Sequence, residues 1–290
     1  MAMLRYRPMK KMLHTACLIC SVPLIFMGIA NAQPVRKVLV EAQTTRADAT
    51  KPVYIRGALD RAPESTGKVL LFYRGYPGIA RIDGADGQVK YLNGQEHFEE
   101  MIPALLTAGI STVTLDCPSD QQSACRDPYR SSQQHADDVK ALIGVLRSMG
   151  FNEFHLMGHS YGGVSSHWLS VRLGDELKSV IHSATQSASP PFINADLAAS
   201  MKDFPHSAVK TQAMYLHHRD DLCNLTPYSY AKTHGKDDRL ITVIGGDRAG
   251  PTCGAGSYHG YVGRRAQVAQ ALVKWIRDGE VIPIVKGPLD

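Results

Sequence analysis

The sequence predicts an α/β fold, a mainly parallel sheet covered by helices on both faces. Three observations lead there. From about Lys51 the chain alternates between short apolar, strand-like runs and amphipathic, helix-like runs. The connections between them are short, as in sheets whose strands are joined by crossover helices. The residues able to do chemistry fall where strands end, the edge at which open α/β sheets hold ligands.

The elements come in this order. Residues 53–59 read as a strand, and 68–74 (KVLLFYR) as a stronger one between Gly67 and Gly75. Residues 97–107 suit a helix that stops near Gly109, followed by a strand over 110–115 (ISTVTL). Over 132–149 the apolar residues Val139, Leu142, Ile143, Leu146 and Met149 fall on one helical face, and Gly150 supplies the stop. A short strand over 153–157 (EFHLM) runs straight into Gly158, and a helix is expected from Gly162 to about Leu173. Strands over 179–183, 212–217 and 239–244 come next. A last helix over about 262–278 turns Val268, Leu272, Trp275 and Ile276 inward. No internal repeat or low-complexity tract interrupts this order, so residues 51–290 read as one domain. Residues 33–50, polar and rich in small side chains, read as a loosely structured start to the mature chain.

The first 32 residues are of another kind. Arg5, Arg7, Lys10 and Lys11 precede an uncharged, mostly apolar run to Ile29, and Ala30-Asn31-Ala32 places small residues where a signal peptidase reads. This is the pattern of a Sec-type export signal cleaved after Ala32, which implies a periplasmic or secreted protein without a stable membrane span. An uncleaved anchor is the competing reading, since the run is near the lower length limit for a span. Cys17 and Cys20 lack the small-residue box of a lipid attachment site. The whole chain carries a formal +5, four charges of which belong to this basic segment, leaving +1 for the rest. No basic stripe remains to suggest nucleic acid as a partner. Cys117, Cys125, Cys223 and Cys253 remain, an even number without CxxC spacing, which suggests two disulfides in an oxidising compartment.

Gly158-His159-Ser160-Tyr161-Gly162-Gly163 fits G-x-S-x-G between a strand and a helix. Such a turn thrusts a serine hydroxyl outward at a helix N-terminus, where developing negative charge is favoured. Side chains at Gly158 or Gly162 would collide with neighbouring elements. A serine needs a base to take its proton, and the base needs an orienting acid. The strand-like segment 212–217 is followed by His218-Arg219-Asp220-Asp221, and Tyr258-His259-Gly260 precedes the last helix.

With Ser160, the paired aspartates and the late His259-Gly260 in this order, residues 51–280 resemble the α/β-hydrolase family. The resemblance implies an α/β-hydrolase fold without a large cap, because only residues 184–211 separate the strand after the serine-bearing helix from the aspartate-bearing one. It implies Ser160 as nucleophile, His259 as base and Asp221 as acid, with Asp220 as the alternative acid. Arg74-Gly75-Tyr76-Pro77-Gly78 is similar to the family's oxyanion stretch, with Arg74 where His is common. Backbone N–H groups of Tyr76 and Tyr161 would then bind the oxyanion, since Pro77 has none. On such a fold the loops carrying Cys223 and Cys253 become neighbours at the rim of the site, which implies Cys223–Cys253 and Cys117–Cys125 bridges. Tyr76, Tyr161 and Phe192 are candidate walls of an acyl pocket.

The implied reaction is acyl transfer on a small-molecule or polymer ester, with no metal and no organic cofactor. The same residues could act on an amide, a peptide or a β-diketone carbon–carbon bond, or the fold could serve binding without catalysis. Acyl and alcohol preference, oligomeric state and pathway are not legible.

Overall fold

The computed structural model describes residues 37–287 apart from 48–49, 85–87, 94–96, 124, 188–197 and 237. All of these lie in one compact unit, Val35–Asp290. The proposed export signal, residues 1–32, and Phe192 lie outside the described residues.

Nine strands form one sheet. They are β1 (Val38–Thr44), β2 (Val53–Asp60), β3 (Lys68–Tyr73), β6 (Ser111–Leu115), β7 (Glu153–His159), β8 (Ser179–Ser183), β9 (Gln212–His218), β10 (Leu240–Val243) and β11 (Ile284–Val285). Two short strands, β4 (Ile82–Asp83) and β5 (Lys90–Tyr91), pair separately. The sheet order is β1-β2-β6-β3-β7-β8-β9-β10-β11. Strand β2 runs antiparallel to both neighbours and every other pairing in this sheet is parallel.

The helices are α1 (Ile102–Thr107), α2 (Asp127–Arg130), α3 (Gln133–Ser148), α4 (Gly162–Arg172), α5 (Tyr228–Gly235) and α6 (Arg265–Asp278). The period of two along β3 divides the core. Leu70 and Phe72 pack with residues of α1 and α6, while Val69, Leu71 and Tyr73 pack with residues of α3. A sheet buried on both faces is the geometry that makes its strands read as unbroken apolar runs.

Three sequence expectations need correction. Residues 33–50 are not all loosely structured, because Val38–Thr44 forms the edge strand β1, paired with Val53–Leu59. Along it Val40, Ala42 and Thr44 are buried, alternating with the more exposed Glu41 and Gln43. The helix expected over 97–107 is a 3-10 turn, His97–Glu100, and then α1 from Ile102, with Pro103 in the first helical turn. The last helix begins at Arg265 rather than 262, because Tyr261 and Gly263 adopt left-handed backbone conformations. Between β8 and β9, the described residues include only two short 3-10 turns, Ala199–Asp203 and His206–Ala208.

Candidate active site

Strand β7 passes through Gly158 and His159 and stops, and Ser160 sits on the turn before α4 with φ of +53°. A non-glycine residue in this region costs about 1–3 kcal/mol and persists only where its surroundings impose it. Here the Ser160 N–H donates to Ser183 O at 2.9 Å, and its carbonyl accepts from Gly163 N (2.9 Å) and Gln186 N (3.1 Å). A Cβ on Gly158 would strike the Gly162 carbonyl, and one on Gly162 would strike the carbonyl oxygens of Tyr73 and Arg74. Gly163 is equally constrained, by Thr185. Strand, turn and helix are therefore packed too closely for any side chain but hydrogen.

Asp221 and His259 arrive from elsewhere in the chain. Asp221 follows β9, and His259 sits on a 3-10 turn, Tyr258–Gly260, whose first turn Ser257 caps by accepting from His259 N. Asp221 is enclosed. His259 Nδ1 lies 2.9 Å from its Oδ2, Thr226 Oγ1 donates to the same oxygen at 3.2 Å, and Cys223 N donates to Oδ1 at 2.9 Å. His217 Nε2 is 3.4 Å from Oδ2, in electrostatic range but not aligned as a hydrogen bond. Burial raises the Asp221 pKa, but His217, His259 and the Cys223 N–H outweigh it and hold the carboxyl well below its ordinary range. Asp220, by contrast, is exposed and faces its neighbour Arg219.

An ionised carboxylate at Nδ1 fixes the tautomer with Nδ1 protonated and leaves Nε2 as the basic nitrogen. That Nε2 is buried and has no hydrogen-bond partner among the described residues. Ser160 and His259 line the same cleft, of about 410 Å³, together with Tyr76, Gln186, Leu225 and Ala255. The backbone of Gly75 closes against the serine, since a Cβ there would lie 3.3 Å from Ser160 Cβ. This brings Tyr76 beside the nucleophile candidate, and Tyr161 follows it at the N-cap of α4. Tyr76 is 61% exposed and forms part of the wall. The Tyr161 ring does not, contrary to expectation, because it is buried 4.7 Å from the Arg130 guanidinium. Arg74 points its Nη2 to the Asn93 carbonyl at 2.8 Å.

Both expected cysteine pairs are disulfides, Cys117–Cys125 and Cys223–Cys253. The second joins the Asp221 loop to the loop before His259 and forms part of the cleft wall. Among the described residues no group of three or more His, Cys, Asp or Glu side chains is arranged to hold a metal ion, and no helix is long and apolar enough to cross a membrane.

Several residues of the site carry no signal in the sequence. His159, the variable residue of the elbow, is buried with Nδ1 3.0 Å from Ser183 Oγ, which in turn contacts Tyr261 OH at 2.8 Å. Burial, then the neighbouring His97, His259 and His217, push its pKa well down, so it stands as a neutral ring 4.8 Å from His259. His97 also lines the cleft, and Thr226 bridges Asp221 and His259. His97 and Thr226 belong to no local motif and His159 fills a variable position of one, so only proximity in the fold identifies them. A second cavity of about 430 Å³, near Arg56, Arg81 and Asp116, contains none of the expected catalytic residues.

The alpha/beta hydrolase fold family matches residues 68–254, well over half of the chain. The chain is 29% identical over 90 residues to 2-hydroxy-6-oxononadienedioate/2-hydroxy-6-oxononatrienedioate hydrolase 1 of Dechloromonas aromatica (strain RCB), a match covering 31% of this chain and 30% of that relative. Among solved structures it is similar to Est1E from Butyrivibrio proteoclasticus with ferulic acid bound (TM-score 0.55, 13% identity, 77% of this chain and 94% of that one). Similar likenesses are to the dienelactone hydrolase of Anabaena variabilis ATCC 29413 (0.53, 14%, 83% and 97%) and the acylaminoacyl peptidase of Pyrococcus horikoshii (0.57, 13%, 90% and 44%). At such identities the solved structures speak for the fold, and they agree with the family match: the chain belongs to the alpha/beta hydrolase fold family.

Proposed function

We propose that the protein is an exported serine hydrolase that cleaves uncharged carboxylic esters through Ser160, His259 and Asp221. The observation that carries this reading is the buried Asp221–His259 pair, 2.9 Å apart, with the free Nε2 of His259 beside a cleft that Ser160 lines. In this scheme Nε2 takes the Ser160 proton as Oγ attacks the ester carbonyl, and Asp221 stabilises the imidazolium. The oxyanion rests on the N–H groups of Tyr76 and Tyr161. The proton then passes to the leaving alcohol, and water deprotonated by His259 releases the acid from Ser160. His159 stays neutral beside His259 and adds no repulsion when the imidazolium forms.

The composition of the wall supports the choice of an uncharged substrate. No lysine or arginine lines the cleft among the described residues, which favours an uncharged substrate beside the scissile bond. The matched relative is named for dioates, and it supports a second reading, attack on a ketone and cleavage of a carbon–carbon bond. Export is supported by the two disulfides, which persist in oxidising compartments, together with the basic, apolar and Ala-Asn-Ala pattern of residues 1–32.

A matched panel of neutral and carboxylate-bearing aryl esters, anilides and β-diketones tests the assignment. Turnover of neutral esters, lost in Ser160→Ala, is the expected result. Preference for the diketones or for anionic esters would overturn it.

A further inference from the structure

Arg130 is fully buried, yet no carboxylate among the described residues forms a salt bridge with it. A buried cation is costly unless its donors are all used. Its guanidinium spends them on the loops behind the nucleophile. Nη2 donates to the Gly78 carbonyl at 3.0 Å, Nη1 to Ser165 Oγ at 2.7 Å, and Nε to the Cys125 carbonyl at 2.9 Å. Its guanidinium carbon lies 4.7 Å from the Tyr161 ring centroid. Gly78 ends the stretch that supplies the Tyr76 N–H. Tyr161 supplies the other N–H, and Ser165 lies on the first turn of the helix after it. Gly78 also has φ of +74°, and a Cβ there would collide with the guanidinium itself.

We infer that Arg130 is a positioning residue of the oxyanion hole: its planar fork ties the Gly75–Gly78 loop to the start of α4, so that the Tyr76 and Tyr161 N–H groups stay at a fixed separation. The inference rests on the proposed Ser160 mechanism. A lysine carries the charge but not the fork, and cannot reach the Gly78 carbonyl, Ser165 and Cys125 together. The Cys117–Cys125 bridge serves the same assembly, because Cys125 presents the carbonyl that Nε holds.

The test compares wild type, Arg130→Lys, Arg130→Met and Gly78→Ala in the disulfide-intact protein. Each is titrated to its end point with a fluorophosphonate, read by intact mass, so that kcat is expressed per reactive Ser160. A merely structural role would lower the number of reactive sites and leave kcat per site unchanged. The expected result is a fall in kcat per site of about 10- to 100-fold in Arg130→Met and Gly78→Ala, with KM within about threefold, since loss of one oxyanion donor costs about 10²–10³. Arg130→Lys should fall between these and wild type. Wild-type kcat per site in Arg130→Lys, or in both other variants, would overturn the positioning role. A wild type that does not react at Ser160 would instead remove the mechanism beneath it.

Discussion

On one side of the cleft, Ser160 is held by the backbone of β7, the turn and α4, where three glycines pack against carbonyls and a threonine. On the other, Asp221 and His259 sit on loops 38 residues apart in sequence, joined by the Cys223–Cys253 disulfide and by Thr226. The nucleophile side obtains its geometry from close packing within one short segment. The acid–base side obtains it from a covalent staple and a shell of hydrogen bonds around one carboxylate. The first is intolerant of added volume, and the second is intolerant of lost links.

Substitutions on the two sides should fail in different ways. Ser160→Ala and His259→Ala should each lower kcat by about 10⁴-fold or more, measured with a neutral aryl ester. Gly162→Ala should fail one stage earlier, giving no folded protein by near-UV circular dichroism, because its Cβ meets backbone that cannot move. Asp221→Asn should cost about 10⁴-fold in kcat through loss of the correct His259 tautomer, whereas Asp220→Asn should stay within about twofold. Comparable losses in the two aspartate variants would contradict the assignment of the acid.

The staple gives a more moderate effect. Replacing Cys223 and Cys253 by serine should destabilise the protein by about 3–4 kcal/mol, from the loop of 30 residues that it closes, as read by denaturant unfolding. The same change at Cys117 and Cys125, separated by only 8 residues, should cost about 2–3 kcal/mol. A loss under about 1 kcal/mol on removing Cys223–Cys253 would show that the stability of the acid–base side does not depend on its staple.

The smallest separation is in pH. On the nucleophile side, burial lowers His167 of α4 to about 3, against an ordinary 6.5. Burial likewise lowers His135 to about 3 and His155 to about 4. These rings stay neutral in the folded protein while the unfolded chain takes up protons, so their contribution is present above about pH 6.5 and is lost as pH falls toward 4 for His155 and toward 3 for His135 and His167. Asp221 is shifted below its ordinary value of 3.8, so its contribution is present above about pH 4 and is lost only on further acidification. Unfolding free energy should therefore fall as pH drops from 7 toward 3, and His167→Gln should make that slope shallower without changing the limb below about pH 3.

The same asymmetry decides what is legible in the sequence. Ser160 and its glycines are readable because the constraint is local and each residue's neighbours lie within a few positions. Asp221 and His259 are readable only in outline, from family order and position after a strand or before a helix. Nothing in Asp220-Asp221 itself shows that one side chain turns inward to Thr226 and the other outward to Arg219. His97, His159 and Arg130 carry no pattern, because their partners come from distant segments. Strand β1 is hidden for a related reason, since its buried residues alternate with partly exposed ones and only its pairing with β2 reveals it.

Whether Ser160 is the activated nucleophile can be decided by reacting residues 33–290 with a fluorophosphonate and locating the adduct by peptide mass spectrometry. One adduct is expected, on Ser160, absent from Ser160→Ala and formed far more slowly in His259→Ala. No adduct on folded, disulfide-intact protein, or an adduct on another residue, would contradict the proposed mechanism.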